Sequence, residues 1–327
     1  MAQQTTSAVA STPVTLGVDL GSHYIRLGTV DRQHQVAAFR REHYTEAATS
    51  DARQLTDQIL RVVGQMFDEH PATSNIAAIG VAIPGLVHQP AQEILSVSHL
   101  PALGEIDLRG EFQRAFGVPV YFENNAKAAA YAEMNLGVAR GIPDWLYFHL
   151  GANVSAGLVL DGKMQHGRSG LAGAIGRMNI YVEHLATSMQ LEDLVSADNI
   201  VRRTRDRLHR DKTSSLSRLA AMGGFTYDDI IAAAHSGDDL ARMMIYRTGA
   251  FIAIAISDVI SLLNLSMVAV GGALTARQFL VDAIAREVRH RTPAHFIDDC
   301  RIVAATVGVE ATVIGAALVA ERQLASA

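Results

Sequence analysis

The sequence predicts an α/β protein built from a duplicated unit, with a cleft between its two halves. Two β-rich openings, one from residue 14 and one from residue 145, are each followed by alternating helix and strand patterns, with no low-complexity linker between them. At 327 residues, 49% hydrophobic and 19% charged, the chain is long enough for two lobes with substantial cores and too apolar for disorder.

In order, the first thirteen residues, MAQQTTSAVASTP, lack the basic start and apolar segment of a secretory signal and read as a mobile tail. VTLGVDLGSHYIRLGTV (14–30) gives two β-rich runs broken at Gly21, and a third strand follows the polar turn DRQHQ, so the sheet opens by hairpins. In DARQLTDQILRVVGQMFDEH (51–70), Leu55, Ile59, Leu60, Val62, Val63, Met66 and Phe67 recur at helical spacing. NIAAIGVAIPGLV (75–87) is a buried strand that stops at Pro84-Gly85. The logic then repeats with a helix over 108–116, a strand over 118–122, a helix over 125–137, a strand over 145–150 and a hairpin around Asp161-Gly162. An irregular stretch precedes helices over 191–209, 225–235 and 237–264, the strand SMVAVGG, a helix near 275–290, and the closing segments RIVAATVG and EATVIGAALVAERQ. The most apolar run, GAFIAIAISDVISLLNL (249–265), is interrupted by Asp258 and falls short of the roughly 20 residues a bilayer span needs. It reads as a buried helix and a candidate subunit interface, with no membrane association expected.

Cys300 is the only thiol, which excludes a disulfide framework and a cysteine-rich metal site and suits a reducing cytoplasm. A net charge of −5 argues against a large phosphate-backbone footprint, and with no helix-turn-helix pattern, direct nucleic-acid binding is not expected.

Three strand ends carry candidate chemistry. In GVDLGSHYIRLG (17–28), Asp19 at a strand end can hold a hydrated Mg²⁺, while Gly21 and the turn Ser22-His23 let backbone N–H groups approach an anion; a tight hairpin needs the same residues. GVAIPGLV places Gly85, and VAVGGAL places Gly271 and Gly272, at the carboxyl edge of a sheet, where a ligand meets backbone amides; ordinary punctuation explains them equally. DGKMQHGRSGLAGAIGRM (161–178) is more specific, since four glycines fall within the ten residues from Gly167 to Gly176, as expected where backbone must come close to something.

The order DLGSHYIRLG, VAIPGLV, LPALGEIDL, ENNAKAAAYAE, HLGANVSAGLVLDGKMQHGRSGLAGAIGRM, LED, VAVGGAL and ATVIGAALVA resembles the ROK family of repressors, open reading frames and sugar kinases, from about Val14 to Glu321. The resemblance implies two actin-like, ribonuclease-H-like ATPase lobes with a sugar in the cleft between them, ATP with Mg²⁺ on the larger lobe, and a homodimer. The expected division is a tail (1–13), a smaller lobe (14–122, joined by the C-terminal helix at about 310–325) and a larger lobe (123–309). The repressors carry a winged-helix domain before the first strand, where this chain has a short tail. By resemblance, Gly85, His99, Asn124, Asn125, Ala174, Arg177 and Glu192 fall at substrate positions. Asp19, Gly21, Ser22, His23, Gly151, Ala152, Asn153, Gly271 and Gly272 fall at nucleotide positions.

The departures from the family pattern point towards impaired catalysis. The motif resembles E-N-D-A-N, whose aspartate is the general base, but the matching residue here is Asn125. An amide orients a hydroxyl but lacks useful basicity, and losing general-base catalysis costs roughly 10²- to 10⁴-fold; Asn125 also suits a helix N-cap. His99 and Glu123 are stand-in bases for the alternative, a working sugar kinase. GEIGH reads GAIGR, with Ala174 and Arg177, and the CxCGxxGCxE zinc loop reads EHLATSMQLE, with Glu183, Leu185 and Gln190 at thiolate positions, so no zinc is expected. Glu192 remains as a sugar-hydroxyl acceptor or a surface helix-start residue. His23 replaces a threonine and Gly151-Ala152-Asn153 replaces Gly-Thr-Gly, which weakens phosphate contact, with Asn153 able to adopt a left-handed turn. Lys127 and Arg177 add positive charge where Asn125 and Ala174 remove negative charge. If those cations face the cleft rather than solvent, the expected ligand is an anionic sugar derivative. The alternatives are the active kinase and a regulator of transcription working through a partner.

Overall fold

The computed structural model describes residues 13–69, 76–97, 99–182, 186–209, 213–275 and 278–326. All but the last residue of the expected tail lies outside them. In chain order the first half runs β1 (Val14–Leu20), β2 (Tyr24–Val30), β3 (Val36–His43), α1 (Glu46–Ser50), α2 (Ala52–Glu69), β4 (Ile76–Ile83), β5 (Leu86–His88), β6 (Glu93–Ser96), α3 (Leu108–Phe116), β7 (Val120–Asn124) and α4 (Asn125–Leu136). The second runs β8 (Trp145–Leu150), β9 (Val154–Leu160), β10 (Lys163–Met164), β11 (Asn179–Val182), β12 (Thr187–Gln190), α5 (Leu191–Val195), α6 (Ala197–Leu208), α7 (Leu216–Ala221), α8 (Tyr227–His235), α9 (Asp239–Leu263), β13 (Met267–Gly271), α10 (Gln278–Arg291), α11 (Ala294–Ile297), β14 (Arg301–Ala304) and α12 (Ala311–Ser326).

The duplication is visible in the wiring. One sheet has the order β3-β2-β1-β4-β7 and the other β10-β9-β8-β13-β14, so strands of equal rank occupy equal places. In each, three antiparallel strands from consecutive hairpins are extended by two parallel ones. The apolar stripe of α2 closes one core, with Leu55, Ile59, Val62 and Val63 fully buried and Met66 nearly so. A larger core joins the second sheet to α5, α6, α8, α9 and α10. A third core gathers α4 and α12 against β8, β9 and β13, between the two sheets.

Close approach of α12 depends on missing side chains. Gly17 and Gly80 are register partners on β1 and β4, and a Cβ on either would lie about 2 Å from a carbonyl oxygen of α12, Val313 or Ala316. A Cβ on Gly315 would fall 1.6 Å from the Ala128 carbonyl oxygen of α4. Strand and helix glycines therefore let the two central helices lie flush on the first sheet and on each other. Fully buried Glu133 ties the far end of α4 to the segment before α12, accepting from the N–H groups of Thr306 and Val307 at 2.8 Å and of Val138 at 3.0 Å.

Three sequence expectations need correction. The irregular stretch contains the hairpin β11–β12. The helix expected over 191–209 breaks at extended Ser196 (ψ 159), and the Ala197 N–H goes to the Gly151 carbonyl. The helix expected over 237–264 is α9, 25 residues between its N-cap Asp238 and left-handed Asn264, but contrary to the expectation for its apolar run it is long and apolar enough by composition to cross a membrane. It packs instead as a core helix, with 56% of its most apolar window buried.

Candidate active site

The cleft is walled on one side by the turn after β4 (Pro84, Gly85), by Ser96, and by the start of α4 (Asn124, Lys127). The other wall is Asn153–Ser155 at the head of β9, the glycine-rich loop Gly170–Ala174, Arg177 and Glu192. The walls enclose about 50 Å³, below the roughly 300–1,000 Å³ of small-molecule pockets, and the cleft between them is partly open to solvent. Six of the sequence-predicted residues therefore share one cavity: Gly85, Asn124, Asn153, Ala174, Arg177 and Glu192.

At the start of α4 the capping residue is Asn124, not Asn125. Its Oδ1 accepts from the N–H groups of Ala126 (2.9 Å) and Lys127 (3.4 Å), and its Nδ2 donates to the Gly85 carbonyl at 2.9 Å. Asn124 thus clamps the Pro84-Gly85 turn to the helix. Asn125, 5% exposed, sits deeper, its Nδ2 3.5 Å from His149 Nε2. Lys127 is not solvent-directed: it is 1% exposed and donates to the Gly170 carbonyl. Burial pushes its ammonium below the ordinary lysine range, and the Glu123 charge acts in the opposite sense. Arg177 is exposed at the cleft and has no ion-pair partner among the described residues.

The carboxylates nearby are already engaged. Glu123, 2% exposed, accepts from the Asn124 N–H at 2.8 Å and meets His166 Nε2 at 2.7 Å. Glu192 accepts from the Val154 N–H at 2.7 Å, so it fixes the head of β9 while facing the cavity. Of the two stand-in bases, Glu123 has both oxygens bonded. His99 Nε2 lies 2.9 Å from the Ala152 carbonyl, an acceptor only, so that nitrogen carries a proton.

Of the nucleotide positions only Asn153 lines this cavity; the others are at the end of β1 and the β1–β2 turn (Asp19, Gly21, Ser22, His23), the β8–β9 turn (Gly151, Ala152) and the end of β13 (Gly271, Gly272). Gly21 N–H bonds Tyr24 O at 3.0 Å, closing the hairpin on itself. Gly272 (φ 102) is required because a Cβ there would meet the Leu150 carbonyl at 2.4 Å. Asn153 is not among the left-handed residues, contrary to expectation. Asp19, 1% exposed, accepts through one oxygen from two Arg26 nitrogens, Nε and Nη2, and from Thr312 Oγ1. That guanidinium puts positive charge beside the carboxylate a hydrated Mg²⁺ would need. A hydrated Mg²⁺ would have to be held by the other oxygen, Asp19 Oδ1, against that neighbouring charge, and no step below is routed through one. For zinc, Glu183 and Leu185 lie outside the described residues, while Arg177 and Gln190 offer neither thiolate nor imidazole.

Sequence reasoning missed four residues, Arg26, His149, Ser155 and His166. His149 and Ser155 are register partners on β8 and β9, so their side chains share a face. His149 Nδ1 and Ser155 Oγ are sealed from solvent with no partner among the described residues, and Ser155 lines the cavity. Burial drops the His149 pKa to about 4, so the ring is neutral at neutral pH. The available signal was HLGANVS itself: β alternation places His149 and Ser155 at mirrored positions about a turn, which only the strand pairing reveals.

The two sheets of equal wiring with a cleft between them define the actin-like, two-lobed class to which sugar kinases belong. The chain belongs to the ROK family, whose model matches residues 15–323. It is 25% identical over 317 residues to a glucokinase of Halalkalibacterium halodurans, covering 94% of this chain and 95% of the relative. It is 25% identical over 269 residues to the xylose repressor of Caldicellulosiruptor bescii, covering 78% of this chain but 65% of that relative's length. Among solved structures, a Streptomyces griseus ROK glucokinase in complex with glucose and AMPPNP superposes with a TM-score of 0.80 at 24% identity, covering 94% of this chain and 99% of that one. A ROK transcriptional regulator, homologous to the Escherichia coli MLC protein, superposes with a TM-score of 0.81 at 26% identity, covering 96% and 78%.

Proposed function

We infer that this chain is a ROK-family protein whose cleft holds an anionic sugar derivative, a sugar phosphate or sugar acid, and whose phosphoryl-transfer chemistry is impaired. The observation that carries the reading is Asn125 at the start of α4, with the adjacent carboxylate, Glu123, already bound through both oxygens by the Asn124 N–H and His166. Without a free carboxylate at the reacting position, a sugar hydroxyl can be oriented but not deprotonated. Lys127 and Arg177, both lining the cavity, supply the charge that selects an anion: a buried ammonium on one wall and a planar fork on the other. Asn124, Asn153, Ser155 and Glu192 are the polar groups left to read sugar hydroxyls. On the family's pattern the protein acts in the cytoplasm as a homodimer, in carbohydrate metabolism or its regulation.

Calorimetry with glucose, glucuronate and glucose 6-phosphate tests the ligand class. Binding of the two anions at least tenfold tighter than glucose is expected, and glucose binding without either anion overturns it. A coupled assay with Mg-ATP and a sugar panel tests the impairment, and turnover at rates ordinary for kinases, about 1–100 s⁻¹, overturns that. One observation favours a second reading, an active ATP-dependent sugar kinase: neutral His149 beside Asn125 is an imidazole of the protonation state a base requires. Loss of turnover in His149→Gln, from a wild type that phosphorylates a sugar, would select it.

A further inference from the structure

Away from the cleft, α6 and α9 enclose a groove of about 350 Å³ that no family role above explains. Its walls carry four arginines, Arg202, Arg203 and Arg207 from α6 and Arg247 from α9, against a single acid, Asp206. Arg203 and Arg207 are four apart on α6 and therefore share a face. Among the described residues the one ion pair these cations make is loose, Arg202 to Asp206 at 3.9 Å, with both side chains more than half exposed. Arg203 is braced by donating to the Leu194 carbonyl, and its guanidinium lies 4.9 Å from the Phe251 ring centroid. None of the other three cations has a carboxylate within ion-pair distance among the described residues. Burial lowers the Arg203 pKa to about 10, and the charges of Arg247, Arg202 and Arg207 add to the effect. Burial also lowers that of Arg247, with Arg207 the next cause.

Four like charges held together with one counter-charge among the described residues are self-repelling, a cost a folded chain carries only against some return. The floor is apolar and includes Phe251, Met244 and Leu194. A guanidinium cluster over an aromatic and aliphatic floor matches a doubly charged phosphoryl group attached to an apolar or ring-bearing body. We propose that the α6–α9 groove is a second binding site, separate from the sugar cleft, for a small phosphorylated metabolite. The site touches the cleft through one element, since Leu194 of α5 lines the groove and Glu192 of the same helix lines the cleft.

Phenyl phosphate is the probe, with inorganic phosphate and phenol as its separate halves, titrated calorimetrically into the full chain at low and moderate salt. Expected are submillimolar binding of phenyl phosphate, weaker binding of phosphate, none of phenol, and affinity falling with salt. Arg207→Gln and Arg247→Gln each weaken phenyl phosphate at least tenfold, while Lys127→Met and Arg177→Gln in the cleft leave it unchanged. Each groove variant relieves repulsion, so its melting temperature stays equal or rises; if one fails to fold, the other still decides. Loss of binding in the cleft variants but not the groove variants overturns the proposal, as does no binding at 10 mM. It is equally overturned if Arg247→Gln converts an oligomer to a monomer without touching phenyl phosphate affinity, which would make the groove a contact between copies.

Discussion

Replacing Lys127 by methionine isolates the charge held to select the ligand. Methionine keeps most of the aliphatic volume and removes the ammonium. Two effects on stability oppose each other. The variant no longer buries a cation whose desolvation already lowers its pKa from 10.5, but it leaves the Gly170 carbonyl without its donor, a loss of about 1–3 kcal/mol. The fold should therefore survive with stability close to the wild type. Ligand binding has no such offset. A charge-assisted hydrogen bond from a buried ammonium to an anion contributes about 1.5–3 kcal/mol, so glucose 6-phosphate should bind roughly 10- to 150-fold more weakly to Lys127→Met, and glucose about equally to both proteins. The pH dependence follows in sign. In the free protein the lysine pKa lies below 10.5, and between the two values the unfolded chain holds the extra proton, so this residue makes stability rise with pH in that window. A bound anion favours the ammonium, so binding there takes up a proton and affinity falls as pH rises. Calorimetry in buffers of different ionisation enthalpy reads that proton directly. Unchanged anion affinity in Lys127→Met, with an unchanged proton count, would refute the reasoning.

Further outcomes follow from other contacts. Asn125→Asp places a carboxylate at the reacting position and should raise single-turnover transfer from Mg-ATP by up to about 10²- to 10⁴-fold if base loss is the only defect; no gain would assign the remaining defect to the Asp19–Arg26 pair. Glu133→Ala strands three backbone N–H groups between α4 and α12 and should cost about 3–5 kcal/mol in urea unfolding, with a loss under about 1 kcal/mol contradicting the role given to it. His149, with a folded pKa of about 4 against an ordinary 6.5, makes stability rise with pH across that interval. His149→Asn should flatten this slope, and identical slopes in the two proteins would mean the ring is well solvated.

Much of the fold is readable from local pattern alone. The α2 stripe, the strand stopped by Pro84-Gly85 and the helix after Asn125 each depend on residues adjacent in sequence, and so does the presence of an amide where a carboxylate is expected. Periodicity registers such short-range regularities because each element buries its own face. What the chain does with those residues is set at long range. Which of two neighbouring asparagines caps α4, the inward path of Lys127 to Gly170, and the neutralisation of Asp19 by Arg26 all follow from elements packed across a sheet or cleft. The same holds for the unpartnered faces of His149 and Ser155 and for the arginines that α6 and α9 bring into one groove. A side chain's protonation and direction depend on the dielectric and charges around it, and those neighbours are chosen by tertiary contact rather than by spacing along the chain.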